Sequence, residues 1–99
     1  MLWLPVDIPA GLRLAVDAEL AHRPVPSALA RWSGTADPAA FWPRWTRIEA
    51  SCKLRDVPVA VWLRTRGFRA DPALALTTFI HRDAVVTCGT APNPPRRTR

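Results

Sequence analysis

Asp56-Val57-Pro58-Val59-Ala60-Val61-Trp62-Leu63-Arg64-Thr65-Arg66-Gly67 is the stretch whose conformation separates two folds. As a strand it places Val59, Val61, Leu63 and Thr65 on one side and Ala60, Trp62, Arg64 and Arg66 on the other. That is a half-buried pattern rich in β-branched residues. As a helix it has proline near its start and glycine just past its end, the usual asymmetry of helix termini. The three valines favour the strand, with the helix kept as the alternative.

Downstream, Leu74, Leu76, Thr78 and Ile80 alternate with Ala75, Thr77, Phe79 and His81. His81-Arg82-Asp83 then reads as a turn into a second strand, Ala84 to Cys88, giving an antiparallel hairpin or meander. Asp71-Pro72 also resembles a helix start, so this stretch carries the same ambiguity. From Thr90 onward, three prolines (Pro92, Pro94, Pro95) and three arginines leave too little apolar surface for a core, and a disordered basic tail is expected.

Upstream, Leu12, Val16 and Leu20 recur at i, i+4 and i+8, which predicts a first helix over 11–22 ending at Pro24. Ser27 is placed to cap a short second helix, with Leu29 and Trp32 inward and Gly34 as its stop. Asp37-Pro38 pairs an N-cap acid with proline at the first helical position. Pro43 then predicts a kink or restart. From Arg44 to Arg55 the pattern is clearest: Phe41, Trp45, Ile48 and Cys52 form an apolar stripe, and Arg44, Arg47, Ser51 and Arg55 a second, basic face. Ala36-Asp37-Pro38-Ala39 recurs as Ala70-Asp71-Pro72-Ala73, but the flanks do not repeat and no repeat architecture follows.

The expected fold is α+β: two to three N-terminal helices, then a short antiparallel hairpin or meander, in one domain over 1–89 with a Pro/Arg-rich tail over 90–99. An all-α fold, with a helix-turn-helix-like unit over 44–66, is the alternative. Trp62-Leu63-Arg64-Thr65-Arg66-Gly67 resembles the close of some recognition helices, although the usual turn glycine is absent.

The chain has 99 residues and a net charge of +6, too short for a catalytic barrel or a complete dinucleotide-binding fold. Thirteen arginines stand against one lysine, beside sixteen alanines and eleven prolines, a ratio that a GC-rich genome explains without selection for phosphate binding. The excess charge is localised. Residues 1–43 sum to −1, residues 44–89 to +4 and residues 90–99 to +3. An acidic partner is therefore expected at the second half. Met1 to Pro9 lacks a basic stretch, carries Asp7 and is broken by Pro5 and Pro9, unlike a secretory leader. No apolar run approaches the ~20 residues of a bilayer span. The expected compartment is cytoplasmic, with no membrane contact.

Catalytic motifs are wanting. His81-Arg82-Asp83 resembles the catalytic-loop triplet of protein kinases, but Ala84-Val85-Val86-Thr87-Cys88 does not continue it. Ser27, Ser33 and Ser51 lie in no nucleophile elbow. Cys88 and His81 are more simply a half-buried thiol and a surface imidazole than a nucleophile and its base. Cys52, Cys88, His22 and His81 have no zinc-ligand spacing. No cofactor or metal is expected.

The expectation is a small basic, non-enzymatic accessory protein that contacts DNA or RNA through an Arg-rich surface over 44–82 and the tail. Its contact residues would be Arg44, Arg47, Arg55, Trp62, Arg64, Arg66, Arg69, Arg82, Arg96, Arg97 and Arg99. One alternative is a protein-interaction subunit, with an exposed Trp42 or Trp45 as anchor and the positive face meeting an acidic protein. The same composition also fits the product of a small open reading frame without a defined activity.

Overall fold

The structure, a computed structural model, describes residues 11–93. A three-stranded antiparallel sheet packs on one face against a layer of helices. The elements run β1 (Leu12–Leu20), α1 (Ser27–Ser33), α2 (Pro38–Arg55), α3 (Val59–Arg66), β2 (Ala75–His81) and β3 (Ala84–Pro92). The strand order is β1-β3-β2, so the last strand is central and joins the first to the fifth element.

The expected order, helices first and then a hairpin, is overturned. The chain opens with a strand, continues with three helices and closes with a hairpin. The all-α alternative fails as well, because 12–20, 75–81 and 84–92 form one sheet.

The helix expected over 11–22 is β1. A spacing of i, i+4, i+8 satisfies a period of 2 as well as one near 3.6. Leu14 and Ala18 decide between them: on a helix they leave the stripe, whereas on a strand they join Leu12, Val16 and Leu20 on one side. The other side carries Ala15 and Asp17, and their partners on β3, Gly89 and Thr87, face α2. An added Cβ at Gly89 would collide with Leu76 and crowd Leu54, so glycine lets α2 approach the central strand closely.

The strand expected over 57–66 is instead α3. Pro58 precedes it and the Gly67 N–H bonds to the Leu63 carbonyl at 3.0 Å. Helical spacing brings Val59, Trp62 and Leu63 to one side, where they pack on Ile48 and Cys52. The terminal Pro and Gly outweigh the β preference of three valines, because burying Trp62 (1% exposed) requires that side.

Helix α2 continues through Pro43, so the chain does not restart there. Proline in the second turn removes one backbone hydrogen bond. Phe41 and Trp42, both buried in the same turn, each return about 1.5–3 kcal/mol of burial. Asp37 caps α2 as expected, its carboxylate accepting from the Ala39 N–H at 3.1 Å. Ser27 does not cap α1: Pro26 occupies the N-cap position and no side chain bonds there. Trp32, expected inward, is 55% exposed.

Strands β2 and β3 turn at Arg82 (φ 55) and Asp83, and β3 continues to Pro92. Thr90–Pro92, expected in the tail, therefore belong to the sheet, paired with Leu12–Leu14. The asparagine that follows is tied by its own N–H to the Gly11 carbonyl at 2.7 Å. No helix among the described residues is long and apolar enough to cross a membrane.

Candidate nucleic-acid interface

The basic face of α2 exists, but its guanidinium groups are tied to the protein's own carbonyls, a threonine hydroxyl and a carboxylate. Arg44 donates to two carbonyls, Nη1 to Ser33 and Nη2 to Phe68, each at 3.1 Å. Its guanidinium also stacks on the Phe68 ring, 4.8 Å from the centroid. Arg47 donates to Thr78 Oγ1 at 3.1 Å. Thr78 and Thr87 hydroxyls then meet at 2.8 Å, Thr87 and Thr46 at 2.8 Å, and Thr46 donates to the Pro43 carbonyl at 3.1 Å. With both ends of the chain set by geometry, the protons run one way, from Arg47 through Thr78, Thr87 and Thr46 to Pro43. This satisfies three hydroxyls, two of them fully buried, without water.

Arg55 Nε donates to Asp71 Oδ2 at 2.8 Å. Ser51 accepts the Asp71 N–H at 3.1 Å. Asp71 Oδ1 accepts from Ala73 N at 2.9 Å. That backbone hydrogen bond, against the cost of burial and aided by Arg55, holds the Asp71 carboxyl below the usual carboxylate range. Arg44, Arg47 and Arg55 thus fasten residues 68–78 to α2. As three aligned contacts to an external phosphate backbone, they are already engaged.

Trp62 is not a stacking surface either. Its ring is buried, with the Arg66 guanidinium over one face at 4.5 Å. Its Nε1 donates to the Arg69 carbonyl at 2.8 Å. Trp62 is therefore the buried support that orients Arg66 and fixes the backbone at Arg69.

Arg64, Arg66 and Arg69 are exposed, and among the described residues none of their guanidinium groups makes a hydrogen bond or short ion pair. No acidic residue occurs between 57 and 70. Arg64 and Arg66 lie in the last turn of α3 and Arg69 shortly beyond it. Arg82 is exposed in the β2–β3 turn, beside the end of β1, where Ala21 N donates to the Asp83 carbonyl at 2.7 Å. Arg96, Arg97 and Arg99 lie outside the described residues. Trp42 (2% exposed) is buried and Trp45 half-buried in a cluster with Phe41 and Phe68, so neither presents the anchor expected of an interaction subunit.

The other side of α2 is acidic, and its grouping was not visible in the sequence. Asp17 on β1 accepts from Lys53 Nζ at 3.1 Å, and the same ammonium donates to the Val16 carbonyl at 2.8 Å. Asp17 Oδ2 is buried without a partner among the described residues. Burial pushes the Asp17 carboxyl up against the pull of Lys53. Burial, with Asp17 beside it, also raises Glu49. The Cys52 thiol, buried near Glu49, is pushed up to about 11, which makes it an inert thiol at neutral pH. Among the described residues no three His, Cys, Asp or Glu side chains are grouped to hold a metal ion. The signal for this cluster is the i, i+4 pair Glu49–Lys53. Its third member, Asp17, is distant in sequence and joins only through the sheet.

No protein-family model, curated protein or solved structure matches this chain.

Proposed function

We propose that the protein is a non-enzymatic accessory protein that binds the phosphate backbone of nucleic acid through the end of α3. The observation that carries this reading is the exposed trio Arg64, Arg66 and Arg69, whose guanidinium groups make no hydrogen bond or short ion pair among the described residues. Exposed guanidinium groups are matched in geometry to phosphate oxygens. Trp62 limits the freedom of Arg66, which reduces the entropy lost on contact. Compared with the sequence-based expectation, the interface is smaller. It leaves out Arg44, Arg47 and Arg55, and Trp62 acts from beneath it.

A salt-titrated mobility shift tests it. Wild-type binding should weaken linearly in log–log form, with a slope of about −0.9 for each phosphate neutralised. The double variant Arg64→Ala/Arg69→Ala should flatten that slope by about 2. Arg82→Ala, with the same charge change per residue, should leave the slope as it is. Absence of binding at about 50 mM salt, or binding indifferent to salt, overturns the proposal.

A further inference from the structure

We infer that the nucleic acid bound is single-stranded, with Trp32 as the platform on which an unpaired base stacks; this rests on the reading of α3 given above. Trp32 is 55% exposed, although the seven-residue helix carrying it buries no residue at all. Its ring flanks a shallow recess shared with Ala28 and Arg31. Neither intrahelical packing nor the core accounts for its place.

Position connects it to Arg69. The two hydrogen bonds of Arg44 hold the Ser33 and Phe68 carbonyls on one guanidinium. Trp32 precedes Ser33 and Arg69 follows Phe68. The backbone next to Trp32 and the backbone next to Arg69 are thus fastened to the same guanidinium, and Arg31 shares the recess beside the ring. Neither 27–36 nor 57–70 contains an acidic residue, and Asp71, within electrostatic reach of Arg66, is paired with Arg55.

An exposed indole with Arg31 beside it, on a surface that also carries Arg64, Arg66 and Arg69, complements a chain that alternates flat bases with phosphates. In a duplex the base faces are already stacked on each other, and an indole finds none free. A purely phosphate-binding surface has no use for the indole. An acidic protein partner would meet the charge but supplies no repeated planar group.

The test uses the full chain, with fluorescence anisotropy of a labelled oligothymidylate and of a duplex of equal length. Wild type should prefer the single strand, and its tryptophan emission should be quenched on binding. Trp32→Ala should weaken single-strand binding roughly 5- to 100-fold and leave duplex binding unchanged. Trp32→Phe should keep most of the affinity, and an unchanged thermal transition should accompany both variants. Equal losses on both probes, or a wild-type preference for duplex, overturn the stacking assignment while leaving phosphate binding intact. Failure to bind either probe, or displacement of both by polyglutamate as readily as by oligothymidylate, overturns the nucleic-acid reading itself.

Discussion

Helix α2 divides two flanks that handle charge in opposite ways. Toward β2 and the segment after α3, Arg44, Arg47 and Arg55 each have hydrogen-bond acceptors at 3.1 Å or less, and Asp71 is matched by Arg55 and a backbone N–H. Toward β1, Glu19 is paired with Arg23 and Asp17 with Lys53, but the second Asp17 oxygen is buried without a donor among the described residues, and burial raises Glu49. The matched flank holds its carboxylate ionised; the unmatched flank favours protonation. The comparison shows that burial alone does not set the sign of a pKa shift: the supply of donors does.

The largest test of this contrast is Trp62→Ala, which removes the buried ring beneath the matched flank. It should cost about 3–5 kcal/mol, seen in urea unfolding, and should also weaken nucleic-acid binding by freeing Arg66 and the backbone at Arg69. Unchanged stability would mean that α3 is not held by this ring.

Asp71→Asn comes next. Asparagine keeps the acceptor for Ala73 but loses the ion pair with Arg55. Since Arg55 is 38% exposed, the expected loss at neutral pH is about 1–2 kcal/mol, discounted for solvent screening. The Asp71 pKa is depressed by folding, so its contribution is complete above the unfolded carboxylate pKa and is lost as pH falls through the folded value. The variant should therefore lack part of the acid-induced loss seen in wild type.

The smallest effect belongs to Glu49→Gln on the unmatched flank. The Glu49 pKa is raised, so the folded state binds its proton more tightly. Stability should rise as pH falls through that raised value toward the ordinary carboxylate range, the opposite sign to Asp71. Glutamine should flatten this gain and add about 0.5 kcal/mol at neutral pH, after allowance for screening. A variant less stable at pH 7 would show that Glu49 is held by Lys53 more than it is penalised by burial and Asp17.

Much of the local chemistry was legible. Asp37 and Asp71, each followed by proline, both accept from the backbone N–H two residues on, at 3.1 and 2.9 Å. Identical local motifs nevertheless lead to a helix in one case and to a turn before a strand in the other. The difference lies downstream. Phe41, Trp45, Ile48 and Cys52 recur at helical spacing after the first, whereas Leu74, Leu76 and Thr78 alternate after the second. Where both periods fit, as in Leu12, Val16 and Leu20, local pattern could not choose.

By itself the sequence determined the α2 stripe, the β2–β3 turn and alternation, and the concentration of positive charge after residue 43. These depend on neighbours within a few positions, where spacing and capping act directly. Tertiary structure alone decided that β1 is a strand, because β3 supplies its hydrogen-bond partners from some 70 positions away. It also decided which arginines are free. A basic helix face looks the same in sequence whether carbonyls and threonine hydroxyls or solvent lie opposite it. Only the return of residues 68–78 across α2 gave Arg44, Arg47 and Arg55 hydrogen-bond acceptors within the protein, whereas Arg64, Arg66 and Arg69 have none among the described residues.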